Sequence, residues 1–131
     1  ILVGEMRDAE TMEAALHAAE TGHLVLSTVH TLNAAETINR ILDFFSSEQQ
    51  RQARLLLAGT LRAILSQRLL PRADGQGRIP AVEVLVNTDR VAERIGDAGL
   101  THEIPDLIAE ALAEDNALLA AMSPTTEEVT T

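Results

Sequence analysis

The sequence predicts an α/β fold, and three observations predict it. Ile1-Leu2-Val3-Gly4 is a short apolar run with β-branched residues, which reads as a buried parallel strand. A stretch rich in Ala, Glu, Met and Leu follows over residues 9–21, and a second apolar run covers 23–29. A crossover of about fifteen residues between two such runs is long enough to make the strands parallel.

Each element carries its own signals. Asp8 stands where a helix N-cap belongs, Met12, Ala15, Leu16 and Ala19 recur at helical spacing, and Gly22 is a stop signal. Asn33 is expected to cap a second helix over residues 34–45, with Ile38, Ile41, Leu42 and Phe45 on its apolar side. Ser46 or Ser47 starts a longer helix expected to reach Arg68, with Leu57, Leu61, Ile64 and Leu65 facing the core. On that helix Arg51, Arg54 and Arg62 would fall within about 80° of one another, as a solvated face or as a contact with a neighbouring subunit. Residues 69–72 and 79–86 read as two strands joined by Ala73-Asp74-Gly75-Gln76-Gly77, whose Asp-Gly is a hairpin signal. Thr88 or Asp89 caps a short helix to Ile95, residues 96–99 break it, and a further helix is expected over 104–121 with Pro105 in its first turn. Residues 1–122 read as one domain, and the Thr- and Glu-rich residues 123–131 as a disordered tail.

Composition narrows the function classes. The 131 residues are 46% apolar and only 2% aromatic, so the core must come from Leu, Val, Ile and Ala. No apolar run is long enough for a transmembrane segment, and no cationic n-region precedes one as in a signal peptide. Without cysteine, disulfides and Cys-based zinc sites are excluded. A cytoplasmic location, peripheral at an inner membrane, is the expectation. The formal charge is −10, and residues 101–131 carry seven acids and no Lys or Arg. Such a balance argues against nucleic-acid binding, which depends on neutralising phosphates. Lysine is absent, and so is any GxxxxGK[ST] loop, so the phosphate cradle of a P-loop is not among these residues. The chain opens inside a strand and is expected to be a fragment of a longer protein.

Parallel strands joined by one crossover have their carboxyl ends on the same sheet edge, where ligands of open α/β sheets bind. Glu5 falls at the carboxyl end of the first strand and His30 at that of the second, with Ser27, Thr28 and Thr31 nearby. A carboxylate there can hold Mg²⁺, directly or through water, or orient an attacking water. A histidine beside it can hydrogen-bond a phosphate.

Ile1-Leu2-Val3-Gly4-Glu5-Met6-Arg7-Asp8 resembles the Walker B motif of the type II/type IV secretion ATPase superfamily, and Thr21-Gly22-His23-Leu24-Val25-Leu26-Ser27-Thr28-Val29-His30-Thr31 resembles its His box. The intervening Ala18-Ala19-Glu20-Thr21-Gly22-His23 is similar too, and the likeness covers roughly residues 1–110. It implies a RecA-like P-loop NTPase core, its C-terminal part, with a β-hairpin and a helical region after it. It implies ATP and Mg²⁺ as cofactors, a homo-hexamer, and inner-membrane pilus or secretion platform proteins as partners. Glu5 matches the Walker B acid and His30 the main His-box histidine. Arg7, His23, Thr28 and Thr31 are carried over as nucleotide or interface residues. His23 lies at the far end of the second strand, roughly 20 Å from His30 at about 3.3 Å per residue, which favours a structural or interface role. His17 and His102 read as surface or packing residues.

The lack of cysteine, together with Gln67-Arg68-Leu69-Leu70-Pro71 and Glu83-Val84-Leu85-Val86-Asn87-Thr88, resembles the twitching-motility retraction branch (PilT-like). Ala92 and Gly96 stand where that branch carries arginines, and the tail after Glu114 departs from it. The expected function is part of a hexameric motor coupling ATP hydrolysis to pilus retraction or assembly, with the isolated chain inactive. The alternatives are an inactive remnant serving as an assembly module, a pilus-extension or type II secretion ATPase, and an unrelated α/β nucleotide-binding fold.

Overall fold

In the computed structural model, which describes residues 1–122, the order of elements is β1 (Leu2–Val3), α1 (Ala9–Glu20), β2 (Leu26–Ser27), α2 (Ala34–Leu42), α3 (Ser47–Thr60), β3 (Ala63–Pro71), β4 (Arg78–Val86), α4 (Asp89–Gly96), a 3-10 turn (Thr101–Glu103) and α5 (Ile104–Met122). The tail expectation for residues 123–131 lies outside the described residues. β1 and β2 pair in parallel, Leu2 opposite Leu26 and Val3 opposite Ser27. β3 and β4 pair antiparallel from Ala63 opposite Val86 to Pro71 opposite Arg78. The α/β class, its parallel crossover unit, its hairpin and its helical end are therefore as the sequence predicts.

The helices start where their caps lie. The side chains of Asp8, Asn33 and Thr88 accept from the backbone N–H of Thr11, Glu36 and Val91, which satisfies amides that the first helical turn leaves free. One core unites the elements: Met12 and Leu16 of α1, Ile38, Ile41 and Leu42 of α2, Ala53 and Leu57 of α3, Ile64 and Leu85 of the hairpin, Val91 and Ile95 of α4, and Ile104 of α5. At about 25 cal/mol per Å² of apolar surface, burial of this set is the main stabilising term.

Four elements, α2, α3, β2 and β3, differ most from expectation in their bounds. The long helix expected to reach Arg68 ends at Thr60, and the first hairpin strand starts at Ala63 instead of Leu69. Asn87 is the reason: its Nδ2 donates to Ala58 O at 2.9 Å and Leu61 O at 3.0 Å, and its backbone N–H donates to Arg62 O at 3.0 Å. These bonds close the C-terminal end of α3 and launch the ladder. Ile64 and Leu65 then face opposite sides, the first buried and the second exposed, as strand alternation requires. The second helix stops at Leu42 and not at Phe45, with Asp43 as its C-cap. The second strand spans only Leu26–Ser27 of the expected residues 23–29, because β1 offers it only two partners.

The arginine stripe does not form. Arg62 lies beyond α3, and Arg54 Nη1 donates to Ile95 O at 3.1 Å and Thr101 Oγ1 at 2.9 Å. Arg54 is thus a strut from α3 to the end of α4.

Candidate functional site

The parallel pair positions the site. Beyond the two-residue ladder, Leu26 N–H donates to Ile1 O at 2.9 Å and Met6 N–H donates to Thr28 O at 3.3 Å, so the strands stay side by side to their carboxyl ends. The Thr28 hydroxyl donates to Gly4 O, a further tie across the pair. Glu5 and His30 therefore emerge together, and His30 Nε2 lies 3.2 Å from Glu5 Oε1. The Glu5 side chain is 25% exposed and that of His30 is 85% exposed.

Arg7 turns back onto the same carboxylate. Its Nε donates to Glu5 Oε2 at 2.6 Å, and Nη2 touches the same oxygen. That hydrogen bond holds the Glu5 carboxyl below its usual range, and the charges of Arg7 and then His30 act in the same direction. Glu5 is thus ionised and oriented from both sides. A carboxylate has about four acceptor positions; Arg7 occupies Oε2 through two nitrogens, and Oε1 keeps room for a water beside His30. Asp8, also held low by the Thr11 N–H, caps α1 and takes no part in the cluster.

The other expected site residues are placed as follows. Thr31 Oγ1 lies 2.6 Å from Thr37 Oγ1, which in turn donates to Asn33 O at 2.8 Å. His23 lies at the C-terminal end of α1, its Nδ1 3.2 Å from both Ala18 O and Thr21 Oγ1. His17 stands between Glu13 and Glu20, and His102 is exposed. Ser27 Oγ and Asn87 Oδ1 are buried without a partner among the described residues.

Mg²⁺ fits at Glu5 through water. Both carboxylate oxygens already carry a protein partner, and no group of three or more His, Asp or Glu able to cage a cation occurs among the described residues. Mg²⁺ commonly keeps several waters and takes one or two carboxylates plus substrate phosphates. No helix among the described residues is long and apolar enough to cross a membrane.

Two residues that the sequence places only within segments resembling the retraction branch, without a role, bond across the fold. Glu83 Oε1 accepts from Ala34 N–H at 2.7 Å, and Arg68 Nε donates to Leu32 O at 3.2 Å. Both reach from the hairpin to the segment that follows His30. No local signal marks them, since they act across 49 and 36 residues of chain. Only the alternation of β3 and β4, correctly phased, could have put them on one face.

The family described as "Type II/IV secretion system protein" matches residues 1–99. The Escherichia coli (strain K12) protein YggR is 49% identical over 109 residues, 82% of this chain and 32% of the relative. The Pseudomonas aeruginosa type IV pilus retraction ATPase PilT is 46% identical over 95 residues, 72% of this chain and 27% of the relative. The chain thus spans about a third or less of these relatives' length. A crystal structure of the pilus retraction motor PilT with bound ADP superposes with a TM-score of 0.75 at 48% identity, covering 82% of this chain and 31% of that one. The expected RecA-like α/β class agrees with this likeness.

Proposed function

Because the chain belongs to the type II/IV secretion system protein family, we propose that it supplies the Glu5–His30 half of the ATPase site in a pilus or secretion motor, closest in role to pilus retraction. The observation that carries this reading is the 3.2 Å contact between Glu5 and His30 at the carboxyl ends of two parallel strands. The likeness to an ADP-bound retraction motor supports nucleotide as the ligand.

In this reading Glu5 orients the attacking water and accepts its hydrogen bond. Arg7 keeps the carboxylate ionised and aimed, so the group need not reorganise as charge develops. His30, exposed at the rim, hydrogen-bonds the terminal phosphate. Mg²⁺, held by Glu5 through water, supplies charge neutralisation at the phosphates when bound with ATP. Thr28 and Thr31 hold the backbone on either side of His30, and His23 holds the end of α1. Lysine is absent from all 131 residues, so the cationic phosphate cradle must come from elsewhere in the motor. A homo-hexamer working against inner-membrane platform proteins, peripheral to the membrane on its cytoplasmic side, is the assembly this role requires.

Grafting residues 1–99 in place of the matching span of the Pseudomonas PilT ATPase tests the reading. The graft is expected to hydrolyse ATP. Glu5→Gln in it is expected to lower turnover by about a hundredfold or more, and His30→Ala to lower it less. The 131-residue chain alone is expected to show no turnover above buffer. Full activity of the Glu5→Gln graft would sink the assignment.

A further inference from the structure

We propose that Glu83 and Arg68 of the hairpin are positioning residues for His30, holding the segment 31–34 so that the imidazole meets Glu5. The proposal rests on the reading of Glu5 and His30 as the catalytic pair. The ring itself has little to hold it. Its side chain is 85% exposed, and the Glu5 carboxylate is its charged partner. An unpacked ring goes where its backbone points it. On the strand side that backbone is fixed by the ties from Thr28 to Gly4 and Met6. On the other side every residue from Thr31 to Ala34 has an anchor.

Those anchors come from two sources. Local ones are the Thr31–Thr37 hydroxyl pair, the Leu32 N–H donated to Glu36 Oε2 at 3.0 Å, and the Asn33 side chain accepting from Glu36 N–H at 2.8 Å. They fasten the segment to α2, whose body is set in the core by Ile38, Ile41 and Leu42, but leave the Leu32 carbonyl and the Ala34 N–H to be held from outside. The hairpin supplies the rest. Ser66 lies opposite Glu83 and Arg68 opposite Ala81, so Glu83 and Arg68 are diagonal neighbours on one face. Opposite charges so placed could pair, yet no ion pair joins them among the described residues. Each reaches outward instead, with the polarity its target needs. The carboxylate takes the Ala34 N–H, one of the free amides at the start of α2, and the guanidinium takes the Leu32 carbonyl. One peptide group is gripped on each side of Asn33, and the β3–β4 ladder becomes the fixed frame against which His30 is set.

Both residues line a cavity of about 170 Å³ with Leu32, Ser66, Ala81 and Val82, and neither side chain belongs to the apolar core. Nuclear magnetic resonance on the 131-residue chain tests the proposal through the Ala34 amide exchange rate and the Overhauser contact between the His30 ring and the Glu5 side chain. Glu83→Ala is expected to speed Ala34 exchange about tenfold or more and to lose most of the His30–Glu5 contact. Glu83→Gln keeps the accepting oxygen and is expected to restore both, while Arg68→Ala weakens the contact by a smaller factor. Unchanged exchange at Ile38 and Ile95 reports an intact core. Should Glu83→Ala lose that protection, Arg68→Ala and Glu83→Gln decide the matter. Wild-type contact intensity in Arg68→Ala and Glu83→Ala, failure of Glu83→Gln to restore it, or no contact in the unsubstituted chain would each overturn the proposal. A fully active Glu5→Gln graft sinks only the catalytic reading and leaves this measurement standing.

Discussion

β1 and β2 share two register pairs, and Leu2 and Leu26 are 79% and 56% exposed. β3 and β4 share nine, with Ile64 and Leu85 in the core. The residues that meet at the candidate site belong to the shorter pair, none of whose strand residues is fully buried. Their geometry is kept by hydrogen bonds at the strand ends, since burial contributes little there. Functional segments are commonly drawn from the less stable parts of a fold, and here the longer ladder bonds the segment after His30 through Glu83 and Arg68. In the proposed reading, stability and chemistry would lie on separate strand pairs linked through one short segment.

The largest expected difference between the regions lies in the core. Ile95→Ala removes a fully buried side chain and is expected to cost about 2–5 kcal/mol in urea unfolding. Leu2→Ala, its counterpart on β1, is expected to stay within about 0.5 kcal/mol. Equal costs would break the comparison. A smaller effect is expected at Asn87, where alanine leaves Ala58 O and Leu61 O without their donor. About 1–3 kcal/mol is the expected loss, and protection should fall first at the amides of β3 that follow α3. A uniform loss of protection would show that the end of α3 and the ladder do not form one unit.

The smallest effect is a local one on the site side. Asp8 is held below the ordinary aspartate value of 3.8 by the Thr11 N–H. A carboxyl depressed in the folded state contributes its stability above the unfolded pKa and loses it as pH falls through the folded one. The midpoint of the Thr11 amide shift is therefore expected below that of an ordinary aspartate. Asp8→Asn should abolish that step. A midpoint above 3.8 would contradict the cap.

Much of the N-terminal unit was legible because its signals are local. Asp8, Asn33 and Thr88 are cap residues that declare themselves by type and place. The turn was legible for the same reason: Gly75 and Gly77 take φ of +72° and +83°, values that L side chains rarely adopt. The Glu5–His30 juxtaposition followed from topology, since one crossover sets both carboxyl ends on one edge. The end of α3 was not legible. Leu61, Ile64 and Leu65 suit a helical face as well as a strand, and short apolar runs do not separate the two by period alone. What decides between them is Asn87, 26 and 29 residues downstream. The role of Arg7 was half legible: its place in the motif was plain, but not that it bonds Glu5.

The register of the hairpin has a consequence for how this chain tolerates changes of length. Side chains alternate faces along a strand, so parity decides which way each one points. Extra residues in the turn between Pro71 and Arg78 leave every pair as it is. One extra residue between Ala63 and Arg68, or between Glu83 and Val86, would instead send Arg68 or Glu83 to the opposite side and release the backbone they grip. Two extra residues would bring that side chain back to the inner face, one step out of place. Insertions should therefore be forgiven at the tip of the hairpin and penalised in odd numbers near its base, although the base lies far along the chain from Glu5 and His30.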